Sequence, residues 1–172
     1  SGFAVFAVEK NKLRVIVMAE YLFVAVFFLI SFVRGYLPQL DSLEKFMDYG
    51  FINTYLRSVP LPAIDMWQAG EIINYYSFGH YWASVLIRFL AVSPAVGYNL
   101  ILGFIGGVVT SMTMVLVTAI SDIKTRVSLV GGMLASIVMV FGGNGHTVWY
   151  LVKNGSFNSY WYADATRFIH NT

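Results

Sequence analysis

From Ala95 to Ile120 the chain runs for 26 residues without an Asp, Glu, Lys or Arg. A helix of that length rises about 39 Å, more than the ~30 Å hydrocarbon core of a bilayer, so the run reads as a membrane span. Gly103, Gly106 and Gly107 give it a face on which a neighbouring backbone can pack closely. Val15 to Val33 is a second run of 19 residues with one charge, Glu20, and it covers about 28 Å. Val127 to Trp149 is a third uncharged run, weakened at its end by Gly142-Gly143-Asn144-Gly145-His146. Composition agrees: 12% of residues are charged, against about 25% in a soluble chain, and the mean hydropathy is +0.67. The expected fold is all-α, a polytopic transmembrane helix bundle with three to four spans, forming a single membrane domain over residues 1–172.

Sides of the membrane follow from the cations. Lys10, Lys12 and Arg14 directly precede the 15–33 span, which places them in the cytoplasm by the positive-inside rule. Residues 34–73 then emerge as a long extracytoplasmic loop with five carboxylates, three cations and three of the four prolines. Long structureless loops are uncommon, so interfacial helices are expected within it. Asp41 is the expected N-cap of the first, with Glu44 at its third position, and Leu43, Phe46, Met47, Gly50, Phe51 and Thr54 recur as one apolar face. Pro60 and Pro62 end that helix, and Asp65 is the expected N-cap of the next.

Residues 74–92, with an apolar pattern readable from Ile72, form either a span or an interfacial helix. The flat arrangement is preferred: His80 sits in the middle, Arg88 would meet mid-to-inner bilayer, and Lys124 and Arg126 then join the other cations inside. Spans at 95–120 and 127–149 follow, and a polar aromatic tail occupies 150–172. Residues 1–8 read as the end of an earlier span, and the chain as part of a longer protein. Glu20 is a carboxylate within a span, which either marks a functional site or reaches Arg14 or headgroup water.

A net charge of +2 with scattered cations excludes a nucleic-acid footprint. The absence of cysteine excludes a disulfide framework and a thiolate zinc site. Nucleophile elbows, zinc-protease motifs and phosphate-binding glycine loops are also absent.

The chemistry concentrates between Glu44 and His80, where four of the nine acidic residues lie among Trp, Tyr and Asn. An interfacial loop with an aromatic belt has a similar composition. Glu44 and Asp48 stand four residues apart, so a helix stacks their like charges on one face at a cost of a few tenths of a kcal/mol. Four arrangements relieve that repulsion: a divalent metal held by both carboxylates, a cation from Lys45 or Arg57, a proton shared by the pair, or a plain capping role for Glu44 with Asp48 solvated. Lys45, Arg57 and Arg34 are candidates to hold a phosphate, whether of a ligand or of a lipid headgroup. His80, His146 and His170 are too dispersed to define a metal site.

The segments Glu44-Lys45-Phe46-Met47-Asp48, Leu56-Arg57-Ser58, Pro62-Ala63-Ile64-Asp65-Met66-Trp67, Ala69-Gly70 and Ile73-Asn74-Tyr75-Tyr76-Ser77-Phe78-Gly79 resemble the signature of the YYY membrane-protein family of archaea and Chloroflexi. Ala165 to Thr172 resembles the start of a further block of that family. Three positions depart from its pattern: Phe46 and Met66 stand where the family has proline, and Ser77 where it has a third tyrosine. The family's layout, one span followed by a long external loop with an acidic motif, is similar to the GT-C superfamily of polytopic glycosyltransferases.

That resemblance implies a sugar donor on a polyprenyl phosphate, used at the extracytoplasmic membrane face. It implies Asp48 as catalytic base, with Glu44 as its partner or, with Asp48, a ligand to a divalent metal. Lys45 or Arg57 would face the leaving phosphate, while Asp65, Trp67, Asn74, Tyr75, Tyr76, His80 and Arg167 would bind substrate. The partners expected are membrane lipids and the lipid-linked sugar. The alternative is a non-catalytic membrane subunit, structural or part of a transporter, with Glu20 and Arg88 lining a polar path.

Overall fold

The computed structural model describes residues 10–40, 44–58, 61–121, 126–142 and 145–156. They form six helices and no strand: α1 Lys10–Tyr36, α2 Lys45–Arg57, α3 Phe78–Leu90, α4 Pro94–Ile120, α5 Arg126–Phe141 and α6 His146–Asn154. The all-α architecture is as expected. Helices α1 and α4, of 27 residues each, are long and apolar enough to cross a membrane. The chain divides into two compact units, residues 21–108 and residues 1–20 with 109–172.

In the unit of residues 21–108, α1 and α4 pack antiparallel through the glycine face. A Cβ on Gly107 would lie 2.9 Å from the backbone oxygen of Phe23, and one on Gly103 2.9 Å from that of Phe27. Only glycine permits so close a backbone approach. Beyond this seam, Arg34 Nε donates to Asn99 Oδ1 at 2.8 Å, and Arg34 Nη2 donates to the Gln39 carbonyl at 3.2 Å. Arg34 thereby fastens the end of α1 to the first turns of α4.

Helices α2 and α3 lie side by side and run parallel. Asp48 meets His80 at their N-terminal ends and the Leu56 carbonyl meets Arg88 at their C-terminal ends, both pairs separated by 32 residues. Between these points Ile52 is buried with Ala83, Ile87 and Tyr98, while Phe51 and Tyr55 are buried with Ala63 and Ile73. The inward face of α2 is therefore Phe51, Ile52 and Tyr55. The expected face is met in part: Phe51 is buried with Met47 packed against its cluster, Phe46 is exposed, and Leu43 lies outside the described residues. Glu44 occupies the N-cap of α2, although its side chain makes no capping bond. Asp41, expected there, also lies outside the described residues.

Residues 61–77 form no second loop helix. Asp65 Oδ1 accepts hydrogen bonds from the backbone N–H of Trp67 at 2.7 Å and of Gln68 at 3.1 Å, closing a turn in place of capping a helix. Gly70 takes a positive φ of 89°, and the chain doubles back so that Ile64 bridges Ile72. The helix expected from Ile72 onwards begins at Phe78, and its thirteen residues rise about 20 Å, short of a hydrocarbon core. It stops at Ala91, which has φ 52°. Pro94 then opens α4 in the position proline favours, and Ser93 Oγ accepts from the Val96 N–H at 3.4 Å as its N-cap.

In the other unit, α5 packs on α4 through Gly132, where a Cβ would lie 2.7 Å from Thr118 Cγ2 and 2.8 Å from Met114 Sδ. The hydroxyls at this seam find backbone acceptors: Thr118 Oγ1 donates to Met114 O at 2.8 Å, Ser136 Oγ to Gly132 O at 2.8 Å, and Ser128 Oγ to Thr118 O at 3.3 Å. The uncharged run of 127–149 is not one helix. α5 ends at Phe141, Gly145 sits at φ 74°, and the nine residues of α6 start afresh. The left-handed conformation of Gly145 is one that a helix cannot continue.

Candidate functional site

Phe51, 1% exposed on α2, gathers the aromatic residues of the loop. Its ring centroid lies 5.6 Å from Tyr75, 5.7 Å from Trp67 and 5.4 Å from His80, all within the 4.5–7 Å range of favourable ring contacts. Tyr76 follows at 3.9 Å from Tyr75. Three side chains singled out in the sequence as site candidates are thus brought together by one named there only for its apolar face.

One helical turn before Phe51, Asp48 Oδ1 stands 3.0 Å from His80 Nε2. The imidazole is 15% exposed and the carboxylate 36%. His80 Nδ1 is buried with no hydrogen-bond partner among the described residues. The pair depends on the parallel seating of α2 on α3, secured at its far end by Arg88 Nη2, which donates to Leu56 O at 2.8 Å and Tyr55 O at 3.2 Å. At the near end the Tyr55 hydroxyl and Ser77 Oγ share a buried hydrogen bond of 2.6 Å immediately before α3 begins. Tyr55 and Ser77 were not expected to matter. Ser77 stands where a third tyrosine is usual in the resembled signature, and it uses its small hydroxyl to anchor the start of the helix that carries His80.

Asp48 and His80 line a cleft of about 970 Å³ with Tyr75, Tyr76 and Ser77. Tyr98, Ile101, Leu102 and Ile105 of α4 line it too, with Ile52, Ile73 and Ala83. The cleft therefore combines a few polar groups of the loop with a largely apolar lining that includes part of a membrane-length helix. Hydrogen bonding to Tyr76, followed by partial burial and by the negative charges of Glu44 and Asp48, pushes the Tyr75 phenol up to about 12.

The other candidates are placed as follows. Glu44 is exposed and Lys45 half-buried in the turn that precedes Asp48. Arg57 is exposed at the last residue of α2, about 14 Å along the axis from Asp48. Asp65 is committed to its turn, and Asn74 is exposed. Arg167 lies outside the described residues. Among the described residues no three His, Asp or Glu side chains converge in a way that could hold a metal ion; Asp48 and His80 supply two donors.

Two membrane-length helices and the shorter apolar α5 are consistent with a helical membrane protein. The chain belongs to a family described as uncharacterized membrane protein (DUF2298), whose model matches residues 2–172. No curated protein and no solved structure matches it.

Proposed function

We propose that the protein is a polytopic glycosyltransferase that moves a sugar from a polyprenyl-phosphate donor to a hydroxyl acceptor at the extracytoplasmic membrane face. The observation that carries this reading is the Asp48–His80 pair in a cleft whose lining is otherwise largely apolar and includes Ile101 and Ile105 of α4. Such a cleft suits an amphiphile, with its phosphate-linked sugar beside the pair and the start of its chain along Ile101 and Ile105. The resemblance to the YYY family and to the GT-C layout supports the same chemistry.

In this mechanism Asp48 takes the proton from the acceptor hydroxyl as that oxygen attacks the anomeric carbon. The bond from that carbon to the donor phosphate breaks, and the phosphate leaves with the electron pair. His80 holds the carboxylate in place, since an orienting hydrogen bond is what a general base of this type needs. Lys45 suits the leaving phosphate better than Arg57, because it lies a turn from Asp48 and Arg57 is at the far end of the helix. Trp67, Tyr75 and Tyr76 offer ring faces to the acceptor sugar, with Asp65 and Asn74 at the margin. Glu44 remains the partner carboxylate, and a divalent metal on Glu44 and Asp48 would need further donors.

In a full-length family member assayed with a polyprenyl-phosphate sugar, Asp48→Asn is expected to lower turnover by about 10²–10⁴-fold, the usual contribution of a positioned base. Unchanged turnover would remove Asp48 from that role. The alternative of a non-catalytic subunit or transport component draws on Glu20 and Arg88, of which Arg88 is occupied with the carbonyls of α2. It predicts the reverse pattern, a phenotype for Glu20→Gln and none for Asp48→Asn.

A further inference from the structure

Tyr98 stands in the second turn of α4 and lines the same cleft as Asp48. It is 4% exposed, packed with Ile52, Ala83 and Ile87, and its ring meets Tyr49 edge-on at 5.8 Å. Tyr49 follows Asp48 directly and Ile52 lies one helical turn further on, so these contacts seat Tyr98 against the stretch of α2 that carries the carboxylate. Its hydroxyl makes no hydrogen bond among the described residues, yet it is not sealed in the core. Neighbouring hydroxyls are already committed, Tyr55 to Ser77 at 2.6 Å and Tyr75 to Tyr76. A ring fixed by burial that ends in an accessible, unmet O–H is a preorganised donor, because little of its freedom remains to be lost when a partner arrives.

What that O–H lacks is an oxygen, which a quaternary ammonium head cannot supply. A phosphate oxygen fits the donor but not the surroundings. None of the described residues lining the cleft is Lys or Arg, and Asp48 puts a negative charge within electrostatic reach of the phenol. Arg34, the cation that also reaches it, is bound to Asn99 and to the Gln39 carbonyl. An uncharged hydroxyl meets both conditions, and the rings of Tyr75, Tyr76 and Phe78 in the lining suit the apolar faces of a sugar. We propose that Tyr98 is a ligand-binding residue whose hydroxyl donates to an uncharged hydroxyl of a sugar-headed amphiphile held in this cleft. The assignment rests on the reading of the cleft as a sugar site, but it requires no transfer step.

Photoreactive octyl glucoside, octyl phosphate and octyltrimethylammonium are titrated, each below its micellar concentration, against the full-length protein in lipid nanodiscs, and the half-saturating concentration for crosslinking is read. Octyl glucoside is expected to give adducts on α4 near Ile101, with a half-saturating concentration about fivefold higher in Tyr98→Phe, the worth of one hydrogen bond between uncharged groups. The phosphate and ammonium probes should be indifferent to the substitution. Thermal melting checks that Tyr98→Phe, which keeps the ring, remains folded. A glucoside curve unchanged in folded Tyr98→Phe, or a phosphate or ammonium curve that shifts as far as the glucoside curve, would overturn the proposal. Glucoside binding through Tyr98 in a protein that transfers no sugar would leave the assignment standing and remove the transferase. Where transfer is measured, Tyr98→Phe should raise KM for the substrate whose sugar it holds, donor or acceptor, and leave kcat; an unchanged KM for both would overturn the assignment and spare the transferase.

Discussion

Phe51 carries no group able to do chemistry, yet three candidate site residues touch its ring. In the sequence it is one apolar position among many on a helical face, which is why nothing there marks it. Asp48 and His80 were each legible as polar residues in an aromatic stretch. Their contact was not, because it spans 32 residues and exists only once α2 seats on α3. Tyr75 offers a direct check on this cluster. Its phenol is held at about 12, chiefly by the bond to Tyr76, so it should remain protonated through pH 10 to 11, where an ordinary tyrosine ionises. A difference titration at the tyrosinate absorbance between wild type and Tyr75→Phe should show this late midpoint, and Tyr76→Phe should move it back towards 10. Because the folded value is raised, the associated stabilisation is full below about pH 10 and is lost as pH climbs through 12. A midpoint near 10 in the wild-type protein would refute the Tyr75–Tyr76 arrangement.

At the scale of elements, α2 and α3 form a parallel pair, so their C-terminal dipole ends lie together. Arg88 answers that directly, placing its guanidinium on the last carbonyls of α2 while standing in the last turn of α3. Replacing it by Ala should cost about 1–2 kcal/mol, the worth of an exposed charge-assisted bond at a helix terminus. Thermal melting in detergent and faster amide exchange at the end of α2 would register the loss, and Arg88→Lys should recover only the charge part of it. The glycines of α4 were readable as a packing face because small residues in a span serve little else. The mistake over Asp65 is equally instructive. A carboxylate that accepts N–H bonds two and three residues on looks the same in sequence whether a helix or a turn follows. Here Gly70 and the Ile64–Ile72 bridge made it a turn. The break after Phe141 was half visible as a glycine cluster, but the cluster alone did not say whether the helix would bend or stop.

For the whole molecule the open question is which side of the membrane carries the segment after α5, and the lengths of the helices bear on it. Helix α3 is about 20 Å long, too short to cross without distorting the bilayer. It also ends with Arg88 bound to the loop helix α2, not reaching for a far surface. If α3 lies at the outer face, α4 returns to the cytoplasm. Lys124 and Arg126 then join Lys12 and Arg14 there, as the positive-inside rule favours. The sixteen residues of α5 rise about 24 Å, enough to cross with local thinning. That arrangement carries Ser156 to the outer side. Single cysteines at Ser121 and Ser156, probed on intact cells with a membrane-impermeant thiol reagent, discriminate the arrangements without background because the chain has no cysteine of its own. Labelling of Ser156→Cys with protection of Ser121→Cys is the expected pattern. The opposite pattern would mean that α3 crosses.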